Sequence, residues 1–259
     1  MGLAASLAPA CASLASAEPS YVVEQRLRTL VRAPPRTSVA RLPVCHDDGV
    51  DITVLGANGN VGQVVVREAL GRGHRVVALV HNSDPFEDDA ALTVITGDVR
   101  DAATMRKVAA DSGAVISCLG TFTRKSGGVL GPAMSALVEA GGPGGGGPVV
   151  TLTGAAAITA DGGLQPRARL YRAVLQVMDR AAVADSEAHL ATLRSSSLAW
   201  TTLCAPSITA EGDGEYRLDP TMPSLRRSTS RLAVARALLD VAADAAAHAR
   251  GAVGIHPPR

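Results

Sequence analysis

Aromatic side chains are scarce, three Tyr, two Phe and one Trp among 259 residues. The stacking platforms that hold single-stranded nucleic acids are therefore hard to build here. An excess of one charge is missing too. The 25 basic and 24 acidic side chains leave a formal net charge of +1, without the basic field that draws in a polyanion. Nucleic acid is therefore not an expected partner. Only two basic residues are lysines, Lys107 and Lys125, which reads as a compositional bias and not as a mechanism. Cys11, Cys45, Cys118 and Cys204 are widely spaced, with no C-x-x-C pair, and Cys45-His46 stands alone. That excludes a zinc site or a disulfide framework and suits a reducing compartment, so no metal is expected. No apolar run approaches the roughly 20 residues that span a bilayer, so no transmembrane segment is expected and the protein reads as soluble.

Residues 1–49 read as a separate extension. An Ala/Ser/Leu stretch fills 1–17, and Arg26, Arg28, Arg32, Arg36 and Arg41 follow among Pro and Ser, with only Glu18 and Glu24 opposing them before Asp47. A leader rich in Ser and Arg and poor in acids has the composition of an organelle transit peptide. Ala15-Ser16-Ala17 looks like a signal-peptidase site, but no basic region precedes it. Met1-Gly2 with Ser6 matches the N-myristoylation pattern. A disordered extension is the fourth reading. The expected location is the cytoplasm, or a chloroplast or mitochondrion if the leader is a transit peptide.

From residue 50 to 259 the pattern changes to alternating short apolar runs and helical spacing. DITVL (51–55), RVVALV (75–80), 92–96, AVISC (114–118), PVVTLT (148–153) and LAWTTL (198–203) read as strands, with a last one at 252–255. Helices are expected over 61–70, stopped by Gly71 and Gly73, over 101–110 with Asp101 as N-cap, and over 131–140. Two more are expected over 167–193, continuous or broken near Asp185-Ser186, and over 231–247. Such alternation predicts an α/β fold, one doubly wound Rossmann domain with a parallel sheet covered on both faces. Ligands of such sheets sit at the carboxyl ends of the strands. The GGPGGGG tract at 141–147 reads as a flexible loop.

The chemistry-bearing motif is GANGNVG at 56–62. Gly56 permits the tight turn after a strand, Gly59 lets backbone N–H groups approach a pyrophosphate, and Gly62 lets the following helix pack closely. Asn58, Asn60 and Val61 complete the loop, and the helix N-terminus adds donors and partial positive charge. A nicotinamide dinucleotide is the expected ligand. The second strand ends in His81, Asn82 and Ser83 with no acid at its first positions. A carboxylate there would hold a ribose 2′-OH; His81 and Ser83 can instead donate to a 2′-phosphate, so NADP(H) is favoured over NAD(H). A plain exposed loop position is the competing account of His81.

GANGNVG, then Gly97-Asp98-Val99-Arg100-Asp101, then Ala114-Val115-Ile116-Ser117-Cys118-Leu119-Gly120 resemble the atypical short-chain dehydrogenase/reductases. The likeness is greatest to the biliverdin-IXβ reductase/flavin reductase type and its NmrA-like relatives. Residues 193–201 resemble that family's LRxSGLxWT passage from helix to strand. Ala205-Pro206-Ser207-Ile208 and Gly212-Asp213-Gly214-Glu215-Tyr216-Arg217 resemble its proline turn and GxGxYR segment. The resemblance implies that Asp98 and Val99 contact the adenine, Leu119-Gly120 pass beneath a ribose and Pro206 flanks the nicotinamide. A turn or capping role is the other account of Asp98.

The usual proton donor is missing. Conventional members pair Tyr and Lys in Tyr-x-x-x-Lys, the Lys lowering the Tyr pKa. Neither lysine here follows a tyrosine at that spacing; four residues after Tyr171 stands Leu175. The fifth strand ends Thr153-Gly154, with Gly154 where the biliverdin-reductase-like members carry Ser. Thr153 and Tyr171 are fallback donors, and His189 reads as a partly exposed helical histidine. Arg167, Arg169, Arg172 and Arg180 either greet an anionic substrate or form a solvated helix face. Hydride transfer needs only the nicotinamide and a well-placed acceptor. The sequence thus points to an NAD(P)H-dependent reductase of a flavin-, quinone- or tetrapyrrole-like acceptor. The alternative is a non-catalytic NADP(H)-binding regulator or assembly factor acting through a protein partner.

Overall fold

The computed structural model describes residues 49–120, 128–154, 173–174, 176–177, 179–205, 207–219, 221, 223, 227–244 and 250–258. The first strand, β1 (Asp51–Leu55), is buried along its length after Asp51, as expected of a strand covered on both faces. It is followed by α1 (Gly62–Gly71), β2 (Arg75–Val80), β3 (Leu92–Thr96), α2 (Ala102–Ala109) and β4 (Ala114–Ser117). Then come α3 (Leu130–Glu139), β5 (Val149–Thr153), α4 (Arg180–Ser195) and β6 (Trp200–Cys204). The chain finishes with β7 (Ile208–Thr209), β8 (Arg217–Asp219), β9 (Thr229–Ser230), α5 (Arg231–Ala243) and β10 (Gly251–His256).

The main sheet has eight strands in the order β3-β2-β1-β4-β5-β6-β10-β8. Every pairing in it is parallel except that of β8 with β10, which puts one antiparallel strand on the edge. A separate parallel pair joins β7 to β9. Val65, Val66 and Ala69 of α1 pack with Val234, Leu238 and Val241 of α5 on one face of the sheet. Met105 and Val108 of α2, Met134 and Leu137 of α3, and Leu190 and Leu193 of α4 cover the other. The fold is therefore the doubly wound Rossmann arrangement, in which the strand order runs outward in one direction from β1 to β3 and in the other from β4 onward.

Local chemistry explains the boundaries. Asp101 caps α2, accepting from the Thr104 amide at 2.8 Å and the Ala103 amide at 3.3 Å. Ser230 caps α5 through the Ala233 amide at 3.1 Å. The helix expected over 167–193 differs. Residue 179 has φ −151°, outside the helical region, and its Asp side chain caps the turn that opens α4. From there α4 runs unbroken through Asp185 and Ser186, which are buried and not at a kink. The glycine tract is not a free linker either. It forms a short 3-10 turn (Gly144–Gly146) wedged against two neighbouring loops. A Cβ at Gly144 would lie 2.0 Å from the Ala110 carbonyl oxygen, and one at Gly147 2.0 Å from that of Gly113. Among the described residues no helix is long and apolar enough to cross a membrane.

Candidate functional site

Helix α1 leaves β1 toward one face of the sheet and α3 follows β4 toward the other. The ends of β1 and β4 are adjacent in the sheet, so a crevice opens between them at the point where the chain reverses its winding. GANGNVG fills the β1 side. Gly56 has φ +73°, a left-handed conformation that favours glycine. The Ala57 amide donates to the Leu79 carbonyl at 3.2 Å, and the Gly59 amide turns back to Gly56 at 3.0 Å. The Gln63 side chain donates to the Asn58 carbonyl at 2.9 Å, bracing the loop from inside the helix. A Cβ at Gly62 would come within 2.3 Å of the Gly56 carbonyl oxygen and 2.8 Å of the Ala57 Cα, so the helix approaches its own loop as closely as backbone allows.

No side chain caps α1 at Val61, and its first turn has no acid. The amides and the positive dipole end at Asn60, Val61 and Gly62 are thus left for an external anion. Gly59 and Asn60 are exposed beside them. The loop is held from behind by these bonds, and Gly59 and Asn60 face outward, a setting suited to a pyrophosphate.

The other predicted residues that the structure describes follow the ends of β2, β3, β4 and β5. The Asn58 side chain donates to Ser83 Oγ at 2.9 Å, joining the loop to the end of β2, where His81 and Asn82 are exposed. Leu119 lies beneath the loop, its Cδ2 3.0 Å from where a Gly56 Cβ would be, and Gly120 is exposed next to it. Val99 is half-buried and packs on the α2/α3 core. Asp98 closes a turn: its carboxylate accepts from Arg100 Nη2 at 2.7 Å and from the Arg100 amide at 2.9 Å. The Arg100 side chain and amide hold the Asp98 carboxyl down at about 2, with the charge of His81 contributing. The turn role is the one displayed by these contacts. Tyr171, Pro206, Arg167, Arg169 and Arg172 lie outside the described residues; Arg180 is exposed at the start of α4.

Thr153 ends β5 at the rim of the crevice and is only 5% exposed, its Oγ1 without a partner among the described residues. Below it lies a row of hydroxyls that sequence reasoning missed. Ser117, Thr151 and Thr202 stand side by side on β4, β5 and β6. Thr151 Oγ1 is 2.9 Å from Thr202 Oγ1 and 3.0 Å from His189 Nε2. His189 is therefore not partly exposed, as expected from the sequence, but fully buried. Burial pushes its pKa down to about 4, so the ring is neutral. The signal was present: Ser186, His189, Leu190 and Leu193 recur at the spacing of one helix face. Burial also raises the Cys118 thiol to about 12, which removes it as a nucleophile.

The GxGxYR-like segment has a structural task. The Tyr216 hydroxyl donates to Asp240 of α5, which also accepts from Arg72, the residue that ends α1, at 2.7 Å. Arg236 of α5 pairs with Glu68 of α1 at 3.2 Å. These contacts bind the segment to the two helices on one face.

Solved structures with the same fold include a short-chain dehydrogenase/reductase from Veillonella parvula DSM 2008 in complex with NADP. It is 20% identical over 81% of this chain and 95% of its own, with a TM-score of 0.62. ChuY, an anaerobilin reductase from Escherichia coli O157:H7, is 19% identical over 80% and 97%, with a TM-score of 0.60. A Streptococcus pneumoniae TIGR4 protein, SP1627, named as a candidate NADH-flavin reductase, is 18% identical over 81% and 100%, with a TM-score of 0.61. The sequence profile of the NAD(P)H-binding family matches residues 56–245, from the first glycine of the loop to just beyond α5. With the loop, the switch-point crevice and the strand order, this match makes the chain a member of the NAD(P)H-binding family of Rossmann proteins.

Proposed function

We propose that the protein is an NAD(P)H-dependent reductase of the atypical short-chain dehydrogenase type, acting on a flavin-, quinone- or tetrapyrrole-like acceptor. What supports this reading is a tight glycine loop with an uncapped helix start at the switch point, in a chain with no Tyr-x-x-x-Lys pair. Bound there, the dinucleotide supplies the hydride. Gly56, Asn58, Gly59, Asn60, Val61 and Gly62 hold its phosphates through backbone amides and the α1 dipole. Leu119 and Gly120 form the floor under the ribose, Asp98 and Val99 the adenine side, and Pro206 the nicotinamide side. At the end of β2, His81 and Ser83 favour the 2′-phosphate of NADP(H). Ser83 Oγ accepts from Asn58, which leaves its own proton to donate. An acceptor with a conjugated ring system takes its proton from solvent, so no dedicated acid is required.

The anaerobilin reductase and the candidate flavin reductase among the structural neighbours act on, or are named for, acceptors of this kind. The enclosure of the Thr153 hydroxyl favours one further reading: a protein that binds NADP(H) without turnover and acts through a protein partner. Calorimetric titration with NADPH, NADP, NADH and NAD, followed by NADPH oxidation with a panel of flavins, quinones and tetrapyrroles, separates the two. Tight binding with turnover of one acceptor class supports the reductase. Tight binding with no turnover on any of them leaves the regulator, and no binding removes both.

A further inference from the structure

Two Arg–Asp pairs of the same kind stand at opposite ends of the sheet. At the amino ends of the strands, Arg75 of β2 donates to Asp51 of β1 through Nε at 2.5 Å and Nη2 at 2.8 Å. At the carboxyl ends, just beyond β3, Arg100 Nη2 donates to Asp98 Oδ2 at 2.7 Å and Nε to Oδ1 at 2.9 Å. Exposed pairs of this sort add little to stability, so the place of the second one is what matters. Its Nε and Nη2 are committed, whereas Nη1 has no partner among the described residues and the Arg100 side chain is 52% exposed. A guanidinium fixed along one edge with the other edge free is preset to meet a second anion.

The neighbouring contacts indicate which anion reaches it. β1, β2 and β3 are consecutive parallel neighbours, about 4.8 Å apart, so their carboxyl ends span about 10 Å, within reach of one nucleotide. The Asn58 side chain joins the phosphate loop after β1 to Ser83 after β2 at 2.9 Å. The Gly97 amide donates to the Val80 carbonyl at 2.9 Å, tying the chain that leaves β3 to the end of β2. The charge of His81 acts on the Asp98 carboxyl across this junction. The cations of α2, Arg106 and Lys107, lie in its last turn, toward the opposite end of the sheet. Of the acids that follow Ser83, Asp84 is turned back onto the Phe86 amide at 2.9 Å, Glu87 and Asp88 are exposed farther along, and Asp89 stands at the start of β3. We infer that Arg100 binds the 2′-phosphate of NADP(H), with Asp98 holding the guanidinium and His81 and Ser83 completing the anion site. The inference rests on the dinucleotide site proposed above.

The test is Arg100→Gln in the full chain, which keeps a donor for Asp98 and so the turn, but removes the charge. Calorimetric titration should find the Kd for NADPH raised about tenfold, the loss expected of a charge-assisted bond to phosphate, and the Kd for NADH within twofold of wild type. Arg75→Gln removes the matching pair at the far end of the sheet and should leave both Kd values unchanged. A turn-holding role alone would weaken both nucleotides together. A fall of less than threefold in the ratio of NADPH to NADH affinities therefore overturns the inference, as does an equal fall in Arg75→Gln or a wild type that binds NADH and not NADPH. The reductase reading fails separately: NADPH binding without turnover of any acceptor ends that reading and leaves the Arg100 ratio to decide this one. Binding of neither nucleotide ends both.

Discussion

Replacing Gly62 with Ala tests the phosphate cradle where it is tightest. The added Cβ would lie 2.3 Å from the Gly56 carbonyl oxygen, 2.8 Å from the Ala57 Cα and 2.9 Å from the Ala57 carbonyl oxygen. All three are backbone atoms, so no side chain can swing aside. Relief requires the start of α1 to move away from β1 by about 1 Å to restore van der Waals separation. That movement withdraws the very amides that would meet a pyrophosphate. A misplacement of that size costs about 100-fold in binding or rate, or roughly 2.7 kcal/mol. The strained packing itself should lower folding stability by about 1–3 kcal/mol. Gly71 provides the contrast at the other end of the same helix, because a Cβ there would meet nothing within 4 Å. Gly71→Ala should leave binding unchanged and hold or raise stability by up to about 1 kcal/mol. Calorimetric titration with NADPH and urea unfolding read both variants. If Gly62→Ala binds NADPH within threefold of wild type at unchanged stability, the assignment of this loop as the phosphate site is wrong.

Three other perturbations follow from the same geometry. The pKa of His189 is lowered on folding from 6.5 to about 4, so its stabilisation is complete above pH 6.5 and is lost as pH falls toward 4. The loss is about 3 kcal/mol, and the difference in unfolding free energy between wild type and His189→Gln across that window isolates it from His74 and His256, which shift the same way. Placing a carboxylate at the end of β2 by His81→Asp should shift the ratio of NADPH to NADH affinities at least tenfold toward NADH, and an unchanged ratio removes His81 from cofactor choice. Gly147→Ala drives a Cβ to 2.0 Å from the Gly113 carbonyl oxygen and should destabilise by about 1–3 kcal/mol in urea melts without altering dinucleotide affinity at the opposite end of the sheet.

Much of this architecture was legible because its signals are local. Residues 76–80 and 114–116 are apolar at consecutive positions, the mark of a parallel strand, and GANGNVG carries its turn requirements in its own residues. Asp101 announces α2 by capping within three residues. What stayed hidden depends on distant partners. Asp185 reads as a candidate break in a helix and His189 as a partly exposed helical histidine, since nothing nearby in sequence shows that one caps α3 and the other meets Thr151. The same holds for residues 141–147, where composition suggests freedom and only the carbonyls of Ala110 and Gly113 show why side chains are excluded. The antiparallel β8 was missed because three residues carry too little periodicity to announce a strand.

The buried hydroxyl row bears on which of the described groups near the strand ends could serve as an acid. Thr151 is committed to His189 and Thr202, and that ring is neutral far above its pKa of about 4, so none of the three offers a proton at neutral pH. Thr153, the one hydroxyl of β5 at the rim, is 5% exposed, which limits its contact with solvent as a proton source. Asp98, the carboxylate nearest the end of β3, stays ionised down to about pH 2. None of these described groups at the strand ends is therefore a protonated acid near pH 7. A carbonyl reduced to an alkoxide would need such a donor at the moment of hydride arrival, because its charge develops on one oxygen. A conjugated acceptor spreads that charge over its rings and picks up its proton afterward from water. Among the described groups at the ends of β3, β5 and α4, the proposed reduction of such a conjugated acceptor asks for nothing that is missing.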